Sequence, residues 1–401
     1  MTPRAASVAV RDSDVIAGVR PLTAFAPASV DECGEVMAQA ARERFRLGFV
    51  GGGTALGLGA RPDALDAVVR TERLARILEY APADMVIVAE AGVTLAALQR
   101  EVAQHGQRLA IDPPWPERAT IGGLIATGGF GPLRQRYGGI RDLIIGVTLV
   151  RADGEIARGG GKVVKNVAGF DLPKVLCGSL GTLGLIAAAA FRLHPRPEVT
   201  TTVVVHERTA EAVIALLAAA RAAQLEPAAA VALRTGARFE LGVRFEGFDR
   251  GVAHQVARFG ELVAASGAAT DLAGGDAFWR RHDAIRAAAP LRIRVAALPT
   301  ALPQVAALVA QLGDFAWYAS LGVGFVCGAG DAGAIPMARA ALVAAGGSLV
   351  IEAAAGSAPG WGRGSIDPWG PPPAGFAIMQ QLKQRFDPER RMNPGRFVGG
   401  L

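Results

Sequence analysis

Cysteine is scarce. The 401 residues hold three, Cys33, Cys177 and Cys327, far apart and in no CxxC or CxxxC pair. That spacing excludes an iron–sulfur cluster or structural zinc site built within this chain. An odd, sparse count also fits a reducing compartment. Histidine is nearly as rare: His105, His194, His206, His254 and His282 form no HxH or HxxxH pair, so no metal is expected. Aromatic residues make up 6% and Lys and Arg are scattered, so a net charge of +6 brings neither a basic run nor a stacking platform. Nucleic acid is therefore not an expected partner. Long apolar runs are missing too: the longest, around Leu183 to Ala190, contains Gly184 and falls far short of the roughly 20 residues that span a bilayer. The N-terminal stretch carries Arg4, Arg11 and Asp12 with no apolar core behind them, so no signal peptide is read. These absences predict a cytoplasmic protein that touches a membrane, if at all, through a partner.

What remains is an ordered chain, 51% hydrophobic and 19% charged, long enough for two or three domains. The abundant residue is glycine. Gly51, Gly52, Gly53, Gly57 and Gly59 crowd one loop behind the apolar pair Phe49-Val50. Glycine at that density marks tight turning or close approach of backbone to a ligand. A Rossmann fingerprint needs an amphipathic helix straight after its last glycine. Here Gly59 and Pro62 would break one. A second group, Ile111 to Gly131, approaches through prolines and then reads Thr120-Ile121-Gly122-Gly123, a helix start with backbone N–H groups on offer. A third group, Cys177 to Ile186, spaces Gly178, Gly181 and Gly184 three apart. Three such loops in one domain suit a long ligand with a central pyrophosphate.

Around these loops the pattern predicts a strand at 85–89, a helix capped by Thr94 and closed by Gly106, and a strand at 143–151. Asp153-Gly154 turns the last into a hairpin, and Asp171 caps a short helix. "HPRPEV", His194 to Val199, reads as a boundary. Beyond it, strand 200–206, helix 208–223, strands 228–234 and 238–246, helix 250–266 and a short helix near 278–286 are expected. The order then repeats: strand 291–298, helix 300–312, strands 314–319 and 322–328, helix 334–345, strand 348–354. Two such passes predict an antiparallel sheet with helices on one face.

The segments "GGGTALGLG", "PERATIGGLIATGG", "RQRYGGIRDLIIGVTLVRADGEI" and "KNVAGFDLPKVLCGSLGTLGLI", in that order, resemble the FAD-binding domain of the vanillyl-alcohol oxidase-type (PCMH-type) flavoprotein family. The likeness covers roughly Pro21 to Pro197. With "FWRRHDAIR" and "QLKQRFDPERRMNPGRF", the chain is similar within that family to the FAD-binding subunit of three-part glycolate oxidases. The resemblance implies an α+β fold: a two-subdomain PCMH-type FAD-binding domain at 1–198, an α+β cap at 199–360, and a C-terminal segment, 361–401, returning to the flavin domain. It implies non-covalent FAD. Gly51, Gly52, Gly53, Thr54, Ala55 and Gly57 would hold the pyrophosphate through backbone N–H groups. Pro113, Pro114, Thr120, Gly122, Gly123, Thr127 and Gly128 would follow pyrophosphate, ribityl chain and ring. Gly181, Gly184 and Ile186 match the adenine side, and Asn393 a C-terminal asparagine near the ring.

The implied function is a subunit that takes part in oxidising glycolate, a 2-hydroxy acid, and passes electrons to an iron–sulfur subunit beside a second flavin subunit. The site on the membrane, if any, would be peripheral to the inner membrane through that complex. Departures from the family bear on catalysis. The acid of its Gly-Ser-Glu-Gly-Thr-Leu-Gly motif is Leu180 here, and the histidine-rich substrate segment of its catalytic members is missing, which leaves no catalytic residue assigned. A stand-alone 2-hydroxy acid dehydrogenase and a non-catalytic assembly subunit with an empty cradle are the alternatives. His282 stands as an outside candidate. Lys162, Lys165 and Arg396 are either cations near the flavin's N1–C2 edge or ordinary surface charges. Tyr137 either approaches the flavin edge or is structural, and Cys177 reads as an inert thiol.

Overall fold

Ser29 starts the first long helix, its hydroxyl accepting the Glu32 N–H, and Cys33, Val36, Met37 and Ala40 turn one stripe of α1 (Val30–Arg42) to the core. Beside it lie three short parallel strands, β1 (Thr23–Phe25), β2 (Leu47–Val50) and β3 (Ala67–Arg70), in the order β1-β3-β2. The computed structural model describes residues 5–162, 171–207, 209–236, 238–287, 291–328, 332–354 and 366–401. Two sequence motifs, most of "VVKNVAGFDL" and the first part of the Gly/Pro/Trp-rich link before Pro371, lie outside the described residues.

The chain continues through β4 (Ile77–Ala81), β5 (Val86–Glu90), α2 (Leu95–Ala103), β6 (Gln107–Arg108) and α3 (Ile121–Thr127). Next come α4 (Arg134–Tyr137), α5 (Ile140–Leu143), β7 (Ile144–Val150), β8 (Ile156–Gly160), α6 (Leu172–Leu176), β9 (Leu185–Arg192) and β10 (His194–Pro195). Thr94 caps α2 and Asp171 caps α6 as the sequence predicts, each side chain accepting a backbone N–H of the first turn. Five antiparallel strands form a sheet ordered β4-β5-β9-β7-β8. Its central β9 is buried from Leu185 to Phe191 because both faces are covered. Ile186, Ala189 and Phe191 join the core under α2 and α3, while Leu185 and Ala187 join the core beneath α1.

The chain folds as two compact units. One comprises the residues up to Gly131, Gly138–Arg196 and Pro371 onward; the other comprises Pro132–Tyr137 and Pro197–Gly370. The second unit runs β11 (Val199–Glu207), α7 (Ala210–Ala222), β12 (Ala229–Thr235), β13 (Arg238–Gly247), α8 (Asp249–Ser266) and β14 (Ala269–Asp271). After α9 (Gly275–Ala287) the series recurs: β15 (Leu291–Ala296), α10 (Leu302–Leu308), β16 (Asp314–Tyr318), β17 (Val323–Gly328), α11 (Ile335–Ala344) and β18 (Ser348–Ala354).

All eight strands form one antiparallel sheet, β14-β11-β13-β12-β16-β17-β15-β18. The order is the same read outward from the β12–β16 pair in either direction, so each half is a β-α-β-β-α-β unit. Strand β14 is the element the sequence pattern does not announce: three residues, Ala-Thr-Asp, exposed or half-exposed, too short to alternate. Inward residues such as Val205, Leu241, Phe245, Ile293 and Trp317 make the core with the paired helices. Helix α9 lies against strands of both halves. It fits because Gly242 has no side chain: a Cβ there would stand 2.2 Å from the Phe278 ring. The last helix, α12 (Phe376–Phe386), belongs to the first unit.

Candidate cofactor pocket

Strand β2 ends at Val50 and the glycine loop begins. Gly53 has φ +70°, where a side chain is strained. A Cβ on Gly51 would stand 2.3 Å from the Thr120 hydroxyl oxygen, and one on Gly52 would stand 1.6 Å from the Arg118 carbonyl oxygen. Two of these glycines therefore let the first glycine segment pack directly on the second. Among the described residues, no N–H from Gly51 to Gly57 is donated to a protein acceptor. Backbone donors held in a tight turn and left without a protein partner make an anion-binding concavity.

The second segment is arranged differently from the expectation. Thr120 does cap α3, but the N–H groups at its start are taken. Ile121 N–H donates to the Val93 carbonyl at 2.9 Å, Gly122 N–H to Ala91 at 2.8 Å, and Gly123 N–H to the Thr120 hydroxyl at 3.4 Å. What α3 gives the pocket is a bare glycine surface and the Thr127 side chain, whose hydroxyl donates to the Gly123 carbonyl.

The third segment and the C-terminal tail close the pocket together. Leu180 has φ +51°; its N–H donates to the Ala126 carbonyl at 2.7 Å, and its carbonyl accepts from Asn393 Nδ2 at 2.7 Å. Gly181, φ +68°, passes so near that a Cβ would stand 2.9 Å from both Phe49 and Asn393. The tail lies alongside β2: Leu47 N–H donates to the Arg391 carbonyl and Asn393 N–H to the Leu47 carbonyl, both at 2.7 Å. Behind it, Lys383, 2% exposed, donates through Nζ to the Thr182 carbonyl at 2.9 Å, the Met392 carbonyl at 2.9 Å and Asp387 at 2.7 Å. Burial pulls its pKa below the ordinary lysine value, partly offset by the Asp387 charge.

One pocket thus gathers Gly51, Gly52, Gly53, Thr54 and Ala55 from the first loop and Thr120, Gly122, Gly123 and Thr127 from the second. Gly181, Gly184, Ile186 and Asn393 line it as well. Four residues named from the sequence stand outside the lining. Gly57 is exposed on the far shoulder of the loop, and Pro113 is buried in the approach to α3 with Pro114 beside it. Gly128 ends α3 in a left-handed C-cap. Thr71 and Leu180 line the pocket without having been singled out as binding residues. Thr71 carries no local motif, and Leu180 was set aside because the family's acid is absent there. Arg396 also lines it, 5% exposed.

The other candidates separate cleanly. Lys162 is exposed and pairs with Glu79; Lys165 lies outside the described residues. Tyr137 donates to Glu246 at 3.1 Å, both within the second unit. Burial pushes the Cys177 thiol up to about 12, the value of an inert thiol. Of the five histidines, His105, His206 and His254 are exposed and His194 is half-buried.

His282, 3% exposed, is part of a polar cluster that the sequence does not announce. Its Nε2 lies 2.8 Å from the Tyr318 hydroxyl, and its Nδ1 lies 2.9 Å from Asp283. Arg286 donates to the same Tyr318 oxygen. Tyr318 thus links the imidazole to the guanidinium through one hydroxyl. Burial accordingly lowers the His282 pKa.

The family model for an FAD binding domain matches residues 21–160. The protein named glycolate oxidase subunit GlcE from Escherichia coli is 38% identical over 122 residues, 30% of this chain and 35% of that protein. D-lactate dehydrogenase of Archaeoglobus fulgidus is 37% identical over 171 residues, 42% of this chain and 38% of the other. Glycolate oxidase subunit GlcD of Bacillus subtilis is 32% identical over 208 residues, 52% and 44% of the two chains. The matches thus span less than half the length of these relatives. A solved alkyldihydroxyacetonephosphate synthase superposes with a TM-score of 0.72 at 16% identity, covering 94% of this chain and 76% of that one, which shows a shared fold. Residues 21–160, which build the glycine loop and its α3 partner, thus match the model of an FAD binding domain.

Proposed function

We propose that the chain is the FAD-binding subunit of a glycolate oxidase-like complex, which oxidises glycolate to glyoxylate and hands the electrons to an iron–sulfur subunit. The observation that carries this reading is the 38% identity to a protein named as a glycolate oxidase subunit, in a chain whose pocket suits the cofactor. The fit is physical. Loop N–H groups without a protein acceptor suit a diphosphate, the glycine face of α3 and Gly181 line the pocket, and Arg396 brings a cation. When bound, FAD supplies a hydride acceptor that can release electrons singly. This chain's residues bind and orient it: the loop through N–H groups, α3 through its glycine face, and Asn393 by pinning the Leu180 carbonyl.

Oxidising a 2-hydroxy acid also needs a base and a carboxylate-binding cation. Among the described residues no three His, Cys, Asp or Glu side chains gather as a metal site, and none of the pocket-lining residues is a base. The reading accordingly gives the substrate site to a second flavin subunit. It places the protein in the cytoplasm, peripheral to the inner membrane through the complex. Among the described residues, no helix is long and apolar enough to cross a membrane.

The test begins with the visible spectrum of the purified chain, where flavin bands near one per chain are expected; colourless, FAD-refractory protein would leave only an assembly role. Turnover of glycolate with an artificial electron acceptor is then measured with and without the two partner subunits. Activity that appears only with partners is the expected result. Brisk turnover by the chain alone would favour the second reading, a stand-alone 2-hydroxy acid dehydrogenase. That reading draws on the Archaeoglobus relative and on His282, a buried imidazole 2.8 Å from the Tyr318 hydroxyl.

A further inference from the structure

We propose that Arg396 is the counter-cation for the cofactor's diphosphate, so that affinity for the dinucleotide depends on this one side chain. The inference rests on reading the pocket as the FAD site. Among the described residues that line it, Arg396 is the one charged side chain. Loop N–H groups orient and partly stabilise a diphosphate, but they are dipoles and leave its net charge in place. A guanidinium offers both charge and planar donors to phosphate oxygens.

The geometry fastens Arg396 to the shoulder of the glycine loop, and its side chain lines the same pocket as Gly51 to Ala55. Its own carbonyl accepts the Ala60 N–H at 2.9 Å, and a Cβ on Gly59 would stand 2.5 Å from that carbonyl oxygen. Its Nη2 donates to the Leu56 carbonyl at 2.9 Å and to the Leu58 carbonyl. The guanidinium is therefore fastened to the shoulder of the same loop whose first residues, Gly51 to Ala55, hold N–H groups without protein acceptors. At 5% exposure it is held out of water. Burial pulls its pKa down to about 10, still high enough for the charged form at neutral pH. An anion arriving beside a desolvated cation recovers part of that lost solvation. Cofactor binding and the charge on Arg396 then favour each other. The competing placement, beside the flavin's N1–C2 edge, makes a different prediction: it affects the reduced ring more than the oxidised dinucleotide.

The experiment titrates FAD into full-length apo-protein of the wild type, Arg396→Gln and Arg396→Lys, following flavin fluorescence. The bound flavin's midpoint potential and the apo-protein's thermal midpoint are measured in parallel. Glutamine can still donate to the Leu56 carbonyl, so it removes the charge more than the loop contact. The expected result is FAD affinity weakened at least about tenfold in Arg396→Gln, largely restored in Arg396→Lys, with an unchanged potential. Inorganic pyrophosphate should compete with FAD for the wild type more than sodium chloride does at matched ionic strength. That comparison decides the matter if the Gln variant does not fold. Wild-type affinity in a folded Arg396→Gln, a shifted potential with unchanged affinity for oxidised FAD, or no preferential competition by pyrophosphate would each overturn the assignment. A wild type that binds no FAD would instead refute the reading of the pocket.

Discussion

Two neighbouring glycines in the cofactor loop have different reasons for being glycine. At Gly52 the missing side chain makes room for the Arg118 carbonyl, so Gly52→Val should displace the lead-in to Thr120 and lower the thermal midpoint even without cofactor. At Gly53 the surroundings are open, the nearest atom to a Cβ being 3.8 Å away, but φ is +70°. Gly53→Ala should therefore cost roughly 1–2 kcal/mol of stability from the left-handed backbone. Its FAD affinity should fall further than that, because the methyl group enters the cradle. Thermal melts of apo-protein set beside FAD titrations separate the two effects. A second expectation concerns attachment: none of the pocket-lining residues is a histidine or cysteine, so acid precipitation should leave the flavin in the supernatant. Glycine density made this loop legible in the sequence, because close approach has a compositional signature. Arg396 was ambiguous there, since nothing in a single arginine tells a buried cation from a surface one. Glycines at a helix start suggested free N–H groups on α3, and only the register of Val93 and Ala91 shows them occupied.

At the scale of elements, the C-terminal segment matters most. Lys383 on α12 binds the Thr182 carbonyl of the third glycine segment and the Met392 carbonyl next to Asn393. One ammonium thus holds two walls of the pocket in register. Its partner Asp387 is fully buried and also accepts the Arg391 and Met392 N–H groups. Breaking such a buried pair from one side costs about 3–5 kcal/mol, so Lys383→Met should lower stability by about that much and weaken FAD binding with it. Chemical denaturation and FAD titration of the same preparation are the measurements. Deleting the residues from Phe386 onward should abolish FAD binding, and a truncated chain that kept normal affinity would show the tail to be peripheral. Most elements were legible beforehand because they carry local signals: Thr94 and Asp171 as caps, Asp153-Gly154 as a turn, alternation along β13. Strand β14 was not, being held by its neighbour β11 rather than by its own pattern. The Lys383 hub was not legible either, since a lysine four residues before an aspartate reads as a surface helix pair.

At the scale of the molecule, two units should report separately on ligand and on acid. FAD at a hundred times its Kd stabilises whatever binds it by about 2.7 kcal/mol. In scanning calorimetry, added FAD should therefore raise the transition of the unit containing the glycine loop, leaving the sheet unit's own transition in place. Acid should act on the sheet unit. His282 is neutral there and its folded pKa is lowered by burial, so below the ordinary histidine value the unfolded chain binds a proton that the folded chain resists. Stability then falls as pH drops through that window, by at most about 1.4 kcal/mol per pH unit for one site. His282→Asn should flatten the slope of the denaturation midpoint between pH 7 and pH 5.

The tail that completes the cofactor pocket also fixes when the pocket can exist. Arg396 meets Leu56 across 340 positions of chain, and Met392 pairs beside β2. During synthesis the glycine loop emerges early, yet the segment that walls it off arrives only after the whole sheet unit has been made. A nascent chain accordingly presents an unfinished cradle until Asn393 and Arg396 have emerged, and cofactor loading becomes a step that waits for them.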